Sequence, residues 1–98
     1  MVKKIVWTNA ADKKFDNIAT YLLDNASLQT AQNFADLVYD KIDLLTKFPN
    51  LGRKVATTKS IRVVNLGKYY QIYYRVEGKM LVISNIFDTR QDPRKRPF

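Results

Sequence analysis

The side chains best equipped for chemistry in this sequence are cations and tyrosines, and they sit in its second half. Tyr69, Gln71, Tyr73 and Arg75 recur at every second position, so a strand would present them on one face. Lys68 directly precedes them, Arg62 lies in the apolar run Ile61-Arg62-Val63-Val64, and Arg90, Arg94, Lys95 and Arg96 crowd the end of the chain. Such a set grips an anion: guanidinium groups fork onto phosphate or carboxylate oxygens, and tyrosine rings offer stacking faces. Tyr69 and Tyr73 are the contact candidates, because Tyr70 and Tyr74 alternate onto the opposite, core-facing side. Arg90 is flanked by Asp88 and Asp92, either of which would make a local ion pair that positions the tail.

The charge is unevenly placed. The whole chain carries +8. Residues 1–48 hold six basic and six acidic side chains, whereas residues 49–98 hold eleven and three, so the entire excess falls in the second half. That asymmetry points to an anionic partner such as a phosphate backbone or an acidic protein. The sequence contains neither His nor Cys. Zinc enzymes, Ser-His and Cys-His nucleophile pairs and disulfides are therefore excluded, and no metal or cofactor is expected. The 98 residues, 46% hydrophobic and 27% charged, fit one domain over 1–98 with a basic tail from about residue 88. A chain this short buries only roughly 60–65% of its unfolded surface, so its core is thin. The opening run Ile5-Val6-Trp7 is too short for a signal peptide, and nothing approaches the roughly 20 apolar residues of a membrane span. A cytoplasmic protein without membrane contact is expected.

The elements that must hold these side chains follow from periodicity. Lys3 to Trp7 reads as a short strand. Thr8 or Asn9 caps a helix whose apolar stripe is Ala11, Phe15, Ile18, Ala19 and Leu22, with Asp12 facing the dipole of its first turn. Asp24-Asn25-Ala26 closes it. Ser27 caps a second helix with the stripe Ala31, Phe34, Ala35, Val38, Ile42 and Leu45, which Pro49 stops. Asn50-Leu51-Gly52 is a turn, and Arg53 to Lys59 a basic loop. The period then becomes two: strands are expected at Ile61–Val64, Tyr69–Val76 and Met80–Phe87, separated by turns at Leu66-Gly67-Lys68 and Glu77-Gly78-Lys79. The last strand is apolar on both faces, which places it inside the sheet. The fold class is α+β in the order β-α-α-β-β-β, a helical hairpin packed on one face of a mostly antiparallel four-stranded sheet.

This order resembles the RelE/ParE superfamily of toxins from type II toxin–antitoxin modules, which includes proteins of the plasmid stabilisation type. The resemblance runs over nearly the whole chain. It rests on Ile5-Val6-Trp7-Thr8 before Ala10-Ala11-Asp12, on Ser27 to Ala31, and on Ile42-Asp43-Leu44-Leu45 with Phe48-Pro49-Asn50-Leu51-Gly52-Arg53. It continues through Gly67-Lys68-Tyr69-Tyr70-Gln71-Ile72-Tyr73-Tyr74-Arg75-Val76 to Ile86-Phe87-Asp88-Thr89-Arg90-Gln91-Asp92-Pro93. It implies a small cytoplasmic toxin neutralised by a cognate antitoxin, and two modes of action. RelE-like members cleave messenger RNA on the ribosome, whereas ParE-like members poison DNA gyrase.

Metal-free RNA cleavage needs a base for the 2′-hydroxyl, an acid for the leaving oxygen and cations for the phosphorane. The resemblance assigns Arg62 and Arg90 to phosphate-holding positions, and Tyr73 and Arg75 complete the candidate set for a nuclease. Three departures weigh against it: Gln71 stands where RelE-like enzymes carry an arginine, Val64 where they carry a lysine, and residues 91–96 contain no tyrosine. The expected function is therefore a ParE-like toxin that acts on DNA gyrase by binding. The expected contacts are Arg62, Lys68, Tyr69, Tyr73, Arg75, Arg90, Arg94, Lys95 and Arg96. A ribosome-dependent mRNA endonuclease is the alternative, and a non-toxic nucleic-acid-binding module the further one. An acidic, amphipathic antitoxin segment is expected on the helical hairpin, reaching the sheet edge.

Overall fold

A computed structural model describes residues 2–58, 60–91 and 93–97. The chain runs β1 (Lys4–Trp7), α1 (Asn9–Asn25), α2 (Leu28–Lys47), β2 (Arg53–Lys54), β3 (Arg62–Leu66), β4 (Tyr70–Glu77), β5 (Met80–Asp88), and a short 3-10 turn, Pro93–Lys95. Both helices begin where the polar residues permit. The Thr8 hydroxyl accepts from the Ala11 N–H at 3.1 Å and donates to the Ser84 carbonyl at 2.8 Å, so one side chain caps α1 and ties it to β5. Ser27 accepts from the Thr30 N–H at 3.0 Å to cap α2. The α2 stripe of Phe34, Val38, Ile42 and Leu45 is fully buried.

The sheet has five strands in the order β1-β5-β4-β3-β2, where four were expected. The additional strand is the two-residue β2, which lies inside the expected basic loop: Arg53 pairs with Val63 and Lys54 with Arg62. Lys59 of that loop lies outside the described residues. β1 runs parallel to β5 and the other pairings are antiparallel, so the sheet is mixed. β5 is paired on both sides, as its two apolar faces require. The β3–β4 hairpin also shifts relative to expectation. Leu66 still pairs with Tyr70, so the turn is Gly67-Lys68-Tyr69, with Gly67 at φ 61°, a conformation that suits glycine.

One face of the sheet meets the helices. Val64, Leu66, Tyr70, Ile72, Tyr74, Leu81, Ile83 and Ile86 project there and pack against α1 and α2. The register slips between Tyr73 and Tyr74, because Tyr73 pairs with Asn85 and Tyr74 with Ile83. The bulge at Ser84 lets both Ile83 and Ile86 reach the same core despite their odd spacing. The opposite face is not open, as the alternation had implied. Val63, Tyr73 and Phe87 are covered by Ile61, with Val55 packed beside them. The Val55 N–H donates to the Ile61 carbonyl at 2.9 Å, which holds Val55 beside this cluster.

Candidate functional site

The sequence candidates separate into three places. Arg62 pairs across the sheet with Tyr74, so both side chains lie on the helix-covered side. The Arg62 Nη1 donates to the carbonyls of Gly52 at 2.7 Å and Asn50 at 3.4 Å. The buried Tyr74 hydroxyl donates to the Pro49 carbonyl at 2.7 Å and accepts from the Gly52 N–H at 2.8 Å. Burial pushes the Tyr74 phenol up, against the Gly52 hydrogen bond and the nearby Arg62 charge. Arg62, expected as a target contact or phosphate-holding cation, thus serves as a latch on the Pro49–Gly52 turn.

Arg75 lies on the other face of β4, where its Nε bonds to Glu77 Oε1 at 2.7 Å. Tyr73 shares that face but is only 4% exposed, and its hydroxyl donates to Gln71 Oε1 at 3.3 Å. Its role as an exposed contact is therefore corrected, because Val63, Ile61 and Phe87 close over the ring. Gln71, the residue in the arginine position, is itself buried, with its amide 3.4 Å from Asn65 Oδ1.

The third place is where cation and aromatic do converge. The end of β5 is clamped to the β3–β4 turn: the Thr89 N–H and hydroxyl both donate to the Tyr69 carbonyl, at 2.7 and 2.8 Å. That clamp seats the Arg90 guanidinium 4.5 Å from the Tyr69 ring centre and 5.8 Å from that of Tyr70, while Lys68 Nζ lies 5.4 Å from the Tyr69 ring. Arg90 forks onto Asp88 through Nε at 3.0 Å and Nη2 at 2.9 Å. These bonds hold the Asp88 carboxyl below the usual carboxylate range and raise Arg90 further above its own. The partner anticipated for Arg90 is thus present in Asp88; Asp92 lies outside the described residues. Burial raises the Tyr70 phenol, partly offset by Arg90. A cleft of about 560 Å³ opens beside this cluster, lined by Lys14, Asn17, Ile18, Tyr21, Tyr70, Asp88, Arg90 and Gln91. Lys14, Asn17 and Tyr21 were missed in the sequence; their i, i+3, i+7 spacing along one flank of α1 was the signal available. Arg94, Lys95 and Arg96 follow in the exposed tail.

Chemically, this third place offers a guanidinium stacked on tyrosine with a lysine beside it, an arrangement suited to holding an anion. Burial holds the Tyr70 phenol above its ordinary value, and the Asp88 carboxylate is already engaged by two Arg90 hydrogen bonds. The distance between the three places is large on this scale. Tyr70 and Arg75 are five residues apart along β4, roughly 17 Å, and face opposite sides of the sheet.

The family model for the ParE toxin of the type II toxin–antitoxin system, parDE, matches residues 5–93. The chain belongs to the ParE toxin family. No curated protein matches it in sequence. Solved structures with the same fold include a chain of the chromosomal ParDE toxin–antitoxin system of P. aeruginosa. It is 19% identical with a TM-score of 0.74, covering 89% of this chain and 96% of that one. A YoeB/ParE toxin from Agrobacterium tumefaciens is 14% identical with a TM-score of 0.68, over 88% of this chain and 98% of that one. A conserved hypothetical protein from Helicobacter pylori is 16% identical with a TM-score of 0.56, over 93% and 98%. At these identities the structures attest the fold alone, two helices on a mixed sheet. The family match makes the chain a ParE-family toxin of a type II module, and such a module implies an antitoxin. Among the described residues, no helix is long and apolar enough to cross a membrane.

Proposed function

We propose that this ParE-family toxin inhibits DNA gyrase by binding, through the Lys68, Tyr69 and Arg90 cluster and the basic tail that follows it. The observation that carries the reading is the dispersal of the nuclease set. Arg62, Tyr73 with Arg75, and Arg90 fall in three places, with Tyr73 buried and each arginine bonded to groups of its own chain. Cleavage of a phosphodiester requires such groups around one phosphorus atom, and losing a single stabilising donor typically costs about 3–4 kcal/mol of transition-state stabilisation. Binding has no such demand. An exposed guanidinium stacked on tyrosine, with lysine beside it, suits an acidic or phosphate-bearing surface.

The antitoxin is an acidic, amphipathic segment that docks along the outer flank of α2. Leu37, Leu44 and Phe48 recur there at helical spacing and remain exposed, with Leu51 just beyond them. Beside them β2 covers only Arg62 and Val63 of β3, so Val64 to Leu66 present an outer edge that β2 does not pair. Lys41 and Arg53 line the intervening cleft of about 360 Å³ and suit acidic side chains.

A plasmid supercoiling assay with purified gyrase tests the reading, run beside mapping of cellular transcripts after induction. Inhibited supercoiling with intact transcripts, weakened in a Lys68→Ala/Arg90→Ala double variant, is the expected result. Codon-positioned cuts in messenger RNA would establish the endonuclease instead. Salt-sensitive binding to naked nucleic acid without growth arrest would leave only a nucleic-acid-binding module.

A further inference from the structure

A third cleft, of about 310 Å³, lies where β1 meets the helical hairpin, and its walls are Trp7, Phe15, Tyr39 and Asp12. The three rings touch one another at steep angles. Trp7 and Phe15 meet at 5.6 Å and 82°, Trp7 and Tyr39 at 6.4 Å and 51°, Phe15 and Tyr39 at 5.9 Å and 60°. At these angles the rings pack edge against face, and the surfaces they leave uncovered line the cleft as differently inclined aromatic walls on which an organic cation can stack. Tyr39 is 57% exposed, an unusual position for a ring wedged against two others, and Asp12 at the mouth is exposed as well.

Charge decides what the cleft would take. Among the described residues, the Asp12 carboxylate makes no ion pair or hydrogen bond through its side chain, and no cation of the chain lies over Trp7, Phe15 or Tyr39. At the Arg90 cluster, by contrast, Arg90 lies over Tyr69 and Tyr70, and Lys68 over Tyr69. Asp43, one helical turn beyond Tyr39, adds a second negative charge on the adjoining face, only weakly engaged by Lys47 at 3.8 Å. In a chain of net charge +8 this is a locally acidic, aromatic site.

We propose that the Trp7–Phe15–Tyr39–Asp12 cleft is an arginine-binding site, which receives one guanidinium side chain from a partner protein. The planar guanidinium stacks on a ring while its fork reaches the Asp12 carboxylate, a combination that ammonium geometry matches less well. The site is independent of the gyrase reading, since it uses the opposite charge and a different surface. It also gives Asp12 a role beyond its favourable position at the start of α1.

Trp7 is the only tryptophan, so its emission reports on the site directly. The full chain is titrated with N-acetyl-arginine amide, using N-acetyl-citrulline amide as the uncharged isostere. A saturable Trp7 response to the arginine probe and none to citrulline is expected. Asp12→Asn should weaken the arginine response about two- to fivefold, and Tyr39→Ala about two- to thirtyfold. Thermal melts confirm that both variants fold. An equal response to citrulline, no saturation, or indifference to both substitutions would overturn the assignment and leave an ordinary hairpin contact. Spermidine binding more tightly than the arginine probe would also overturn it, in favour of a site for free polyamines.

Discussion

Tyr74 shows how much a single side chain can settle in a thin core. Its ring is fully buried, and its hydroxyl bonds both Pro49 and Gly52, so the turn after α2 is held against the middle of the sheet. Tyr74→Phe should keep the ring packing but strand the Gly52 N–H and the Pro49 carbonyl, at a cost of about 1–3 kcal/mol in urea denaturation. Asp88 supports a pH prediction. Its folded pKa lies below its unfolded value, so the Arg90 pair stabilises the protein fully above the unfolded value, and that contribution is lost as pH falls from there through the folded value. Wild-type stability should therefore drop more steeply below about pH 5 than that of Asp88→Asn. The difference should stay within about 1 kcal/mol, because the Arg90 side chain is 51% exposed. Equal slopes would mean the pair contributes nothing in solution. At this scale the sequence was half legible. Alternation correctly put Tyr70, Ile72 and Tyr74 on the core side, because period two is a local property. It could not show that Tyr73 is buried too, since its cover comes from Ile61 and Val55, side chains distant in sequence.

The elements were read well where their signals are local. Thr8 and Ser27 begin the helices, and each stripe ends near its expected stop. The β2 strand escaped because two residues have no period; its existence depends on pairing with Arg62 and Val63. The bulge at Ser84 was hidden for the same reason. Two predictions belong here. Thr8→Ala should cost about 1–2 kcal/mol, since it removes both the α1 cap and the bond to Ser84. Ser27→Ala, at an exposed cap, should cost less in the same thermal melts. Comparable losses would show that the tie to β5 adds nothing. Gly52 is fixed by close approach. A Cβ there would fall 2.8 Å from the Tyr74 ring and hydroxyl and from the Val63 carbonyl oxygen. Gly52→Ala should therefore destabilise by about 1–3 kcal/mol by chemical denaturation. Wild-type stability in this variant would mean that the turn can move away from the sheet.

Across the whole molecule, charge and apolar surface are distributed differently, and the difference bears on how a toxin is silenced. Lys14, Lys68, Arg90 and the tail cations gather around the end of β5, whereas the exposed apolar stripe of Leu37, Leu44 and Phe48 runs along α2. If the antitoxin covers the α2 flank as proposed, it has no need to occupy Arg90, and neutralisation and target contact should be separable by mutation. Phe48 is 59% exposed, so Phe48→Glu should leave folding intact while placing a charge in the proposed antitoxin contact. Removing an aromatic anchor of that kind costs about 2 kcal/mol or more, roughly thirtyfold in affinity. Cells expressing this variant together with the antitoxin should arrest, whereas wild-type toxin is neutralised. The rise in melting temperature that the antitoxin confers on the wild-type toxin should shrink in parallel, because a ligand stabilises only in proportion to its occupancy of the native state. Full neutralisation of Phe48→Glu, with an unchanged melting shift, would move the antitoxin off α2. Loss of toxicity in the variant alone would mean that the same flank also meets the target.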